Sequence, residues 1–285
     1  MEQNQDLSLI AKEICIKEKL YYDDYVGGGA FKQVFRVKSE NNQNYALKVI
    51  KGSSPRTERE IKAIQRCSHN NIAQLFRSGT YIKDIHSFDY TVEEFLPGGT
   101  LTTKLTRGNL NNEQLLNLGL SLISAISHIA SHNLVHRDIK PDNIMFKADD
   151  ITPILVDFGL VRDLSAESLT KTWALQGPGT PYFAPPEQLN NQKRLIDWRS
   201  DQFALGVVLC FSRFRMHPYQ YPDEPLYHPQ TVERVANREA RNPQLLSDFQ
   251  VNGLACLIKM TEPWPVQRFC RPEELTREWV AQGGS

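Results

Sequence analysis

The eight residues His136-Arg137-Asp138-Ile139-Lys140-Pro141-Asp142-Asn143 concentrate chemistry more densely than any other stretch. They hold a carboxylate that can act as a base, two cations and an amide that can bind a metal. Asp138, Lys140 and Asn143 suit one task, holding a hydroxyl, a phosphate and a Mg²⁺ together. Fourteen positions after Asn143 comes Asp157-Phe158-Gly159, a second candidate metal carboxylate. A third stretch, Gly27-Gly28-Gly29-Ala30-Phe31-Lys32-Gln33-Val34, is rich in glycine. Glycine lets backbone approach a phosphate and present N–H groups to its oxygens. A plain hairpin turn has the same composition. Lys48 in Tyr45-Ala46-Leu47-Lys48-Val49-Ile50 is a cation among apolar residues.

Several elements must position these groups. Tyr21 to Val26 reads as a strand that runs into the glycines, and residues 45–50 alternate like another. Residues 75–80 and 86–95 read as further strands. Residues 7–20 fit either a short amphipathic helix or a first strand, and periodicity does not choose. Residues 57–64 read as a helix with Ile61 and Ile64 facing inward. From Asn112 to Ser131 the apolar residues Leu115, Leu118, Leu122, Ile126 and Ile129 recur at helical spacing and support a core. His128 and His132 fall on the exposed side of that helix and receive no function. Residues 157–187 have the Ser, Thr, Gly and Pro content of a loop. Residues 200–209 read as a buried helix, and 281–285 as a loose end.

The chain has 285 residues, 40% of them hydrophobic, enough for one large domain or two lobes. Lys plus Arg and Asp plus Glu each number 33, so the formal net charge is zero. That balance gives no electrostatic argument for nucleic acid or an anionic membrane as partner. Five spread cysteines without a C-x-x-C pair suit a reduced, cytoplasmic protein better than a disulfide scaffold or a zinc module. The first six residues lack a basic start followed by an apolar core, so no signal peptide is expected. The apolar run Phe203 to Phe211 is far short of a membrane span. No oligomeric state can be read from composition.

The pairing of His136–Asn143 with Asp157-Phe158-Gly159 resembles the catalytic and metal-binding loops of the protein kinase family. The resemblance covers about residues 21–280, and its motifs occur in the family's order. It implies an α+β, two-lobed fold in a single domain over 1–285. A small antiparallel sheet with one helix would span about 1–95, a mainly α-helical lobe about 96–285, and ATP would sit between them. By this resemblance Asp138 is the catalytic base and Lys140 offsets charge on the transferring phosphoryl group. Asn143 and Asp157 hold Mg²⁺, and Lys48 holds the α- and β-phosphates with Glu60 as its ion-pair partner. Gly27, Gly29 and Val34 match the glycine loop, while Lys32 replaces its third glycine. Val26, Gly27, Gly28, Gly29, Val34, Ala46, Lys48, Glu94, Leu96 and Met145 would line the ATP site, with backbone groups at Glu94 and Leu96 bonding the adenine edge. Glu93 would stand at the deep end of the adenine pocket. A carboxylate is odd in a mostly apolar pocket, so either it has a local partner or the count is off by one.

The stretch Gly179 to Glu187 resembles the end of an activation segment over 157–187, with Pro185 in place of an alanine. Ser165, Ser168, Thr170 and Thr172 are candidate phosphorylation positions there, including by the chain itself, and Arg137 could pair with such a phosphate. An unmodified, ordered segment is the alternative. Thr180 is expected to contact Asp138 and Lys140. Asp201 resembles a helix aspartate that braces the catalytic loop, although a helix N-cap would explain it equally. Arg268 resembles a partner for Glu187. Lys140 and the Thr-Pro segment before Glu187 resemble the serine/threonine subclass, which transfers the γ-phosphate of ATP to protein hydroxyls. Two alternatives remain. One is a nucleotide-binding pseudokinase scaffold, suggested by Lys32, Glu93 and Pro185. The other is a small-molecule phosphotransferase, which usually lacks Lys140-Pro141 and the 179–187 segment.

Overall fold

A computed structural model describes residues 6–28, 32–52, 61–62, 64–158, 162–163 and 181–283. The chain forms two compact units, Met1–His69 with Ala73–Pro97, and Asn70–Ile72 with Gly98–Ser285.

In the first unit, helix α1 (Ser8–Glu18) precedes five strands: β1 (Tyr21–Gly28), β2 (Lys32–Lys38), β3 (Asn44–Lys51), β4 (Leu75–Lys83) and β5 (His86–Glu94). The stretch that could have been helix or strand is therefore a helix. The strands form one antiparallel sheet in the order β1-β2-β3-β5-β4. Side chains alternate across a strand, and directly opposed residues share a face. Phe35 opposite Leu47, and Leu47 opposite Val92, therefore mark one face, together with Val37, Val49, Tyr90 and Phe88. All of these are buried, and α1 with its N-cap residue adds Leu7, Ile10, Ala11, Ile14 and Cys15 to the same cluster. Polar ties reinforce the packing. The Leu7 N–H donates to Gln33 Oε1 at 2.9 Å, Lys83 meets Glu13 at 2.7 Å, and Arg77 donates to the Glu18 carbonyl at 2.7 Å. Residues 61, 62 and 64–66 are also helical.

The same alternation puts Val34, Ala46, Lys48, Thr91 and Glu93 together on the opposite face of the sheet, since Val34 pairs Lys48, Lys48 pairs Thr91 and Ala46 pairs Glu93. Strand β1 ends in Gly28 with φ 144°, where a Cβ would come within 2.4 Å of the Lys32 carbonyl oxygen. Glycine is required there by the close return of β2. At Gly27 a Cβ would meet nothing within 4 Å, so the sheet makes no such demand.

The second unit is mainly helical. Its helices are α2 (Leu101–Leu105), α3 (Asn112–Ser131), α4 (Pro186–Leu189), α5 (Trp198–Phe214), α6 (Pro229–Asn237), α7 (Pro243–Val251), α8 (Cys256–Met260) and α9 (Pro272–Gln282). Asn111 opens α3 with a capping box, its side chain and that of Gln114 each bonding the other's backbone N–H. Leu115, Leu118, Leu122, Ile123, Ile126 and Ile129 of α3 are buried, and α3 packs on α5 and α9. His128 and His132 are half-buried, with ring centroids 4.6 Å apart. By length and composition alone α3 could cross a membrane, yet its apolar stripe faces the core of this unit. All five cysteines are free thiols. Two short antiparallel pairs complete the unit: β6 (Leu134–Val135) with β9 (Arg162–Asp163), and β7 (Ile144–Phe146) with β8 (Pro153–Leu155).

The burial of α1 gives a direct test. Ile14 is fully buried, so Ile14→Ala should destabilise the fold by about 2–5 kcal/mol in denaturant titrations. Ile16 is 79% exposed on the same helix. Ile16→Ala should stay within about 0.5 kcal/mol of wild type.

Candidate active site

Residues 136–143 lie within the second unit, between β6 and β7. Asp201 is buried one turn into α5, whose N-cap is Asp197, bonded by the Arg199 N–H at 2.8 Å. The Asp201 carboxylate instead accepts the His136 N–H at 2.7 Å and the Arg137 N–H at 2.8 Å. The choice between helix cap and loop brace is thus settled for the brace. Arg137 has φ 70°, a left-handed conformation that costs a non-glycine residue free energy. It is clamped on both sides, because its carbonyl accepts Gln188 Nε2 at 3.0 Å. Burial pushes the Asp201 carboxyl up to about 7, against the pull of the two N–H groups.

After this turn Asp138, Lys140 and Asn143 converge. Lys140 Nζ lies 3.0 Å from Asp138 Oδ2. Asn143 Nδ2 donates to the same oxygen at 2.9 Å and to the Asp138 carbonyl at 2.8 Å. Burial, with the nearby Asp157 charge adding to it, raises the Asp138 pKa, while Lys140 and Asn143 oppose the rise. Asp157 is delivered to this neighbourhood by the β7–β8 hairpin. The Val156 N–H donates to the Asn143 carbonyl at 2.9 Å, and His136 Nε2 meets the Val156 carbonyl at 3.2 Å. His136 Nδ1 accepts the Asp138 N–H at 3.3 Å, so the ring acts as its neutral Nε2–H tautomer. Burial lowers its pKa to about 4. Phe158 is buried edge-on against this ring at 4.9 Å. Asp157 itself has φ 66°, a second strained residue in the loop pair.

One buried ion pair lies under the end of the 157–187 stretch. Arg268 Nη1 and Nη2 grip the two oxygens of Glu187 at 2.7 and 3.0 Å, with both side chains fully buried. The remaining Arg268 donors reach the carbonyls of Glu262, Arg199 and Pro263, so all five are used. Ser200 Oγ adds a bond to Glu187. Glu187 is the second residue of α4, the helix that also carries Gln188, the clamp on Arg137.

In the first unit, Lys48 Nζ lies 2.6 Å from Glu93 Oε2. Thr91 Oγ1 donates to the other oxygen, Glu93 Oε1, at 2.7 Å. The odd carboxylate therefore has a local partner. Ala46 and Val34 share this face of the sheet, and Val26 is half exposed on β1. The Glu94 N–H donates to the Gln74 carbonyl at 2.9 Å. Leu96 follows as a buried residue. Met145 lies half-buried on β7 in the second unit. Gly29 and Glu60 lie outside the described residues, as do Gly179, Thr180 and the candidate phosphorylation positions Ser165, Ser168, Thr170 and Thr172. Two contacts escaped sequence reading, Lys48 with Glu93 and Thr91 with Glu93. The two-residue spacing of Thr91 and Glu93 on one strand face was the available signal.

Burial also fixes a pH response. His136 and His217 enter the fold neutral, with pKa values lowered by burial to about 4 and about 3. Below the ordinary histidine value of 6.5 the unfolded chain takes up protons that the folded chain refuses. Stability from these rings is complete above that value and falls as pH drops through the window. Asp201 acts in the opposite sense, so the clean comparison is wild type against His217→Gln. Between pH 6.5 and 4.5 wild type should lose more stability in denaturant titrations, by a slope of about one proton, or about 1.4 kcal/mol per pH unit.

This geometry can be set beside known proteins. The family pattern of the protein kinase domain matches residues 21–280. Calcium/calmodulin-dependent protein kinase type 1 of Caenorhabditis briggsae is 32% identical over 289 residues, covering 98% of this chain and 77% of that protein. CBL-interacting serine/threonine-protein kinase 19 of Arabidopsis thaliana is 28% identical, covering 90% of this chain and 52% of that protein. The probable serine/threonine-protein kinase PkwA of Thermomonospora curvata is 28% identical, covering 81% and 30%. With a sheet-bearing first unit, a helical second unit and the two loops gathered around Asp138, the chain belongs to the protein kinase family, in its serine/threonine branch.

Proposed function

We propose that the chain transfers the γ-phosphate of ATP to serine or threonine hydroxyls of protein substrates, with Asp138 as the base. The observation that carries this reading is the convergence of Lys140 Nζ and Asn143 Nδ2 on one oxygen of Asp138, at 3.0 and 2.9 Å. Two donors fix the carboxylate's orientation, and the reading gives its other oxygen to the incoming hydroxyl. The raised pKa makes Asp138 a somewhat better base than an exposed aspartate. Lys140 offsets charge on the transferring group, and Lys48 holds the α- and β-phosphates.

The donor set also fits Mg²⁺. Asn143 turns its amide hydrogens to Asp138, so its amide oxygen is the atom that would meet a cation. The Asp157 carboxylate would be the second ligand, and hard oxygens suit this metal. The bound ion would neutralise charge on the phosphates. ATP contacts are assigned to Val26, Gly27, Gly28, Gly29, Val34, Ala46, Glu94, Leu96 and Met145, and Glu60 to the support of Lys48. Segment 157–187 is assigned to control by phosphorylation, including by the chain itself. Five free thiols agree with a cytoplasmic setting.

The test is incorporation of labelled γ-phosphate with Mg²⁺ into the chain and a basic protein substrate. Asp138→Asn should lower the transfer rate by about 10²–10⁴-fold while nucleotide still binds. Equal labelling in wild type and variant would remove Asp138 from its role. Gly27→Ala has room in the fold and should weaken nucleotide binding without lowering the melting temperature. Gly28→Ala should lower the melting temperature as well, because its Cβ would strike β2.

A further inference from the structure

The strand lysine Lys48 meets a carboxylate carried by the sheet itself. β3 and β5 are adjacent, and Lys48 is directly opposite Thr91 while Ala46 is directly opposite Glu93. Glu93 is thus the diagonal neighbour of Lys48 on one sheet face, a separation that long side chains span. The contact is 2.6 Å, and the two side chains are only 13% and 5% exposed. Glu93 is not free to turn away. Thr91 Oγ1 holds its second oxygen at 2.7 Å, and β5 is paired on both sides, by β3 and β4. A buried carboxylate without a cation is costly, so Glu93 is stabilised by the ammonium beside it. An ammonium has three donors, so one contact to Glu93 does not exhaust it.

We infer that Glu93, oriented by Thr91, is a positioning residue for Lys48, a fixed carboxylate on the sheet that aims the ammonium at nucleotide phosphate. This role rests on Lys48 acting on phosphate as proposed above. The lysine's placement then depends on the β3–β5 ladder, whose register runs without a bulge from Tyr45–Glu94 to Lys51–Phe88. Ala46, one pair along, leaves the diagonal uncrowded, since a longer side chain there would stand between Lys48 and Glu93.

The experiment is a double-mutant cycle on Lys48→Met and Glu93→Gln. It is read by binding of Mg²⁺ with a non-hydrolysable ATP analogue in calorimetry, and by kcat and KM for ATP. Glu93→Gln keeps the shape and the acceptor for Thr91 but removes the charge. It should lower kcat/KM by about 10–100-fold, the scale expected for a displaced reacting group, in an assay run below a melting temperature that the loss of a buried counter-charge lowers. In the Lys48→Met background it should change analogue affinity no further. Thr91→Val should lower kcat/KM less than Glu93→Gln and serves as the second variant should the first not fold. Wild-type or higher kcat/KM in Glu93→Gln would overturn the inference, as would losses in affinity that multiply with those of Lys48→Met. Failure of the functional reading is separate. It would show as equal labelling in wild type and Asp138→Asn, and the binding cycle would still report whether Glu93 acts through Lys48.

Discussion

The Asp201 carboxylate accepts two successive backbone N–H groups, those of His136 and Arg137, and the shape of the 136–143 loop depends on that reception. A left-handed Arg137 would relax to an ordinary conformation if only local preferences acted. It persists because Asp201 pins its nitrogen and Gln188 its carbonyl. From that turn follow the positions of Asp138, Lys140 and Asn143, and through Val156 that of Asp157. Gln188 is in turn held by α4, which is anchored by Glu187 on Arg268. A fully buried ion pair therefore supports, through Gln188, the turn that carries the Asp138 carboxylate. Such a pair adds little net stability compared with apolar packing, but its loss on one side would leave a charge stranded.

The sheet works by a different rule. Strict alternation lets one strand serve two purposes at once. Leu47 and Val49 of β3 bury themselves under α1, while Ala46 and Lys48, one residue out of phase, remain on the working face. A one-residue slip in register would exchange the two sets, so the apolar core and the lysine's position are specified by the same pairing. Glu93 and Thr91 follow from that register.

How much of this was legible beforehand depends on how local each signal is. The loop 136–143 and Asp157 could be read because their chemistry is compressed into short spacings. The strands could be read because period-two alternation survives in residues 45–50. Residues 7–20 could not be assigned from periodicity, because the burial that decides α1 comes from residues on β2, β3 and β5 far away in sequence. Asp201 could be read as a cap or a brace, since only the fold shows that Asp197 takes the cap. Glu93 looked anomalous in a pocket expected to be apolar. Its partner is separated by 45 positions in sequence but by a single diagonal in the sheet. Long-range pairing of that kind leaves no mark in composition or period.

Helix α1 has a practical consequence. The family pattern begins at residue 21, yet six side chains of the buried cluster, Leu7, Ile10, Ala11, Ile14, Cys15 and Leu20, lie upstream of it. A fragment trimmed to the pattern would keep every residue assigned to phosphate transfer and lose the lid over Phe35, Leu47, Val49, Phe88 and Val92. The uncovered sheet face would be a broad apolar patch of the sort that draws copies together. Insolubility of such a fragment would then report the missing cover and say nothing about its chemistry.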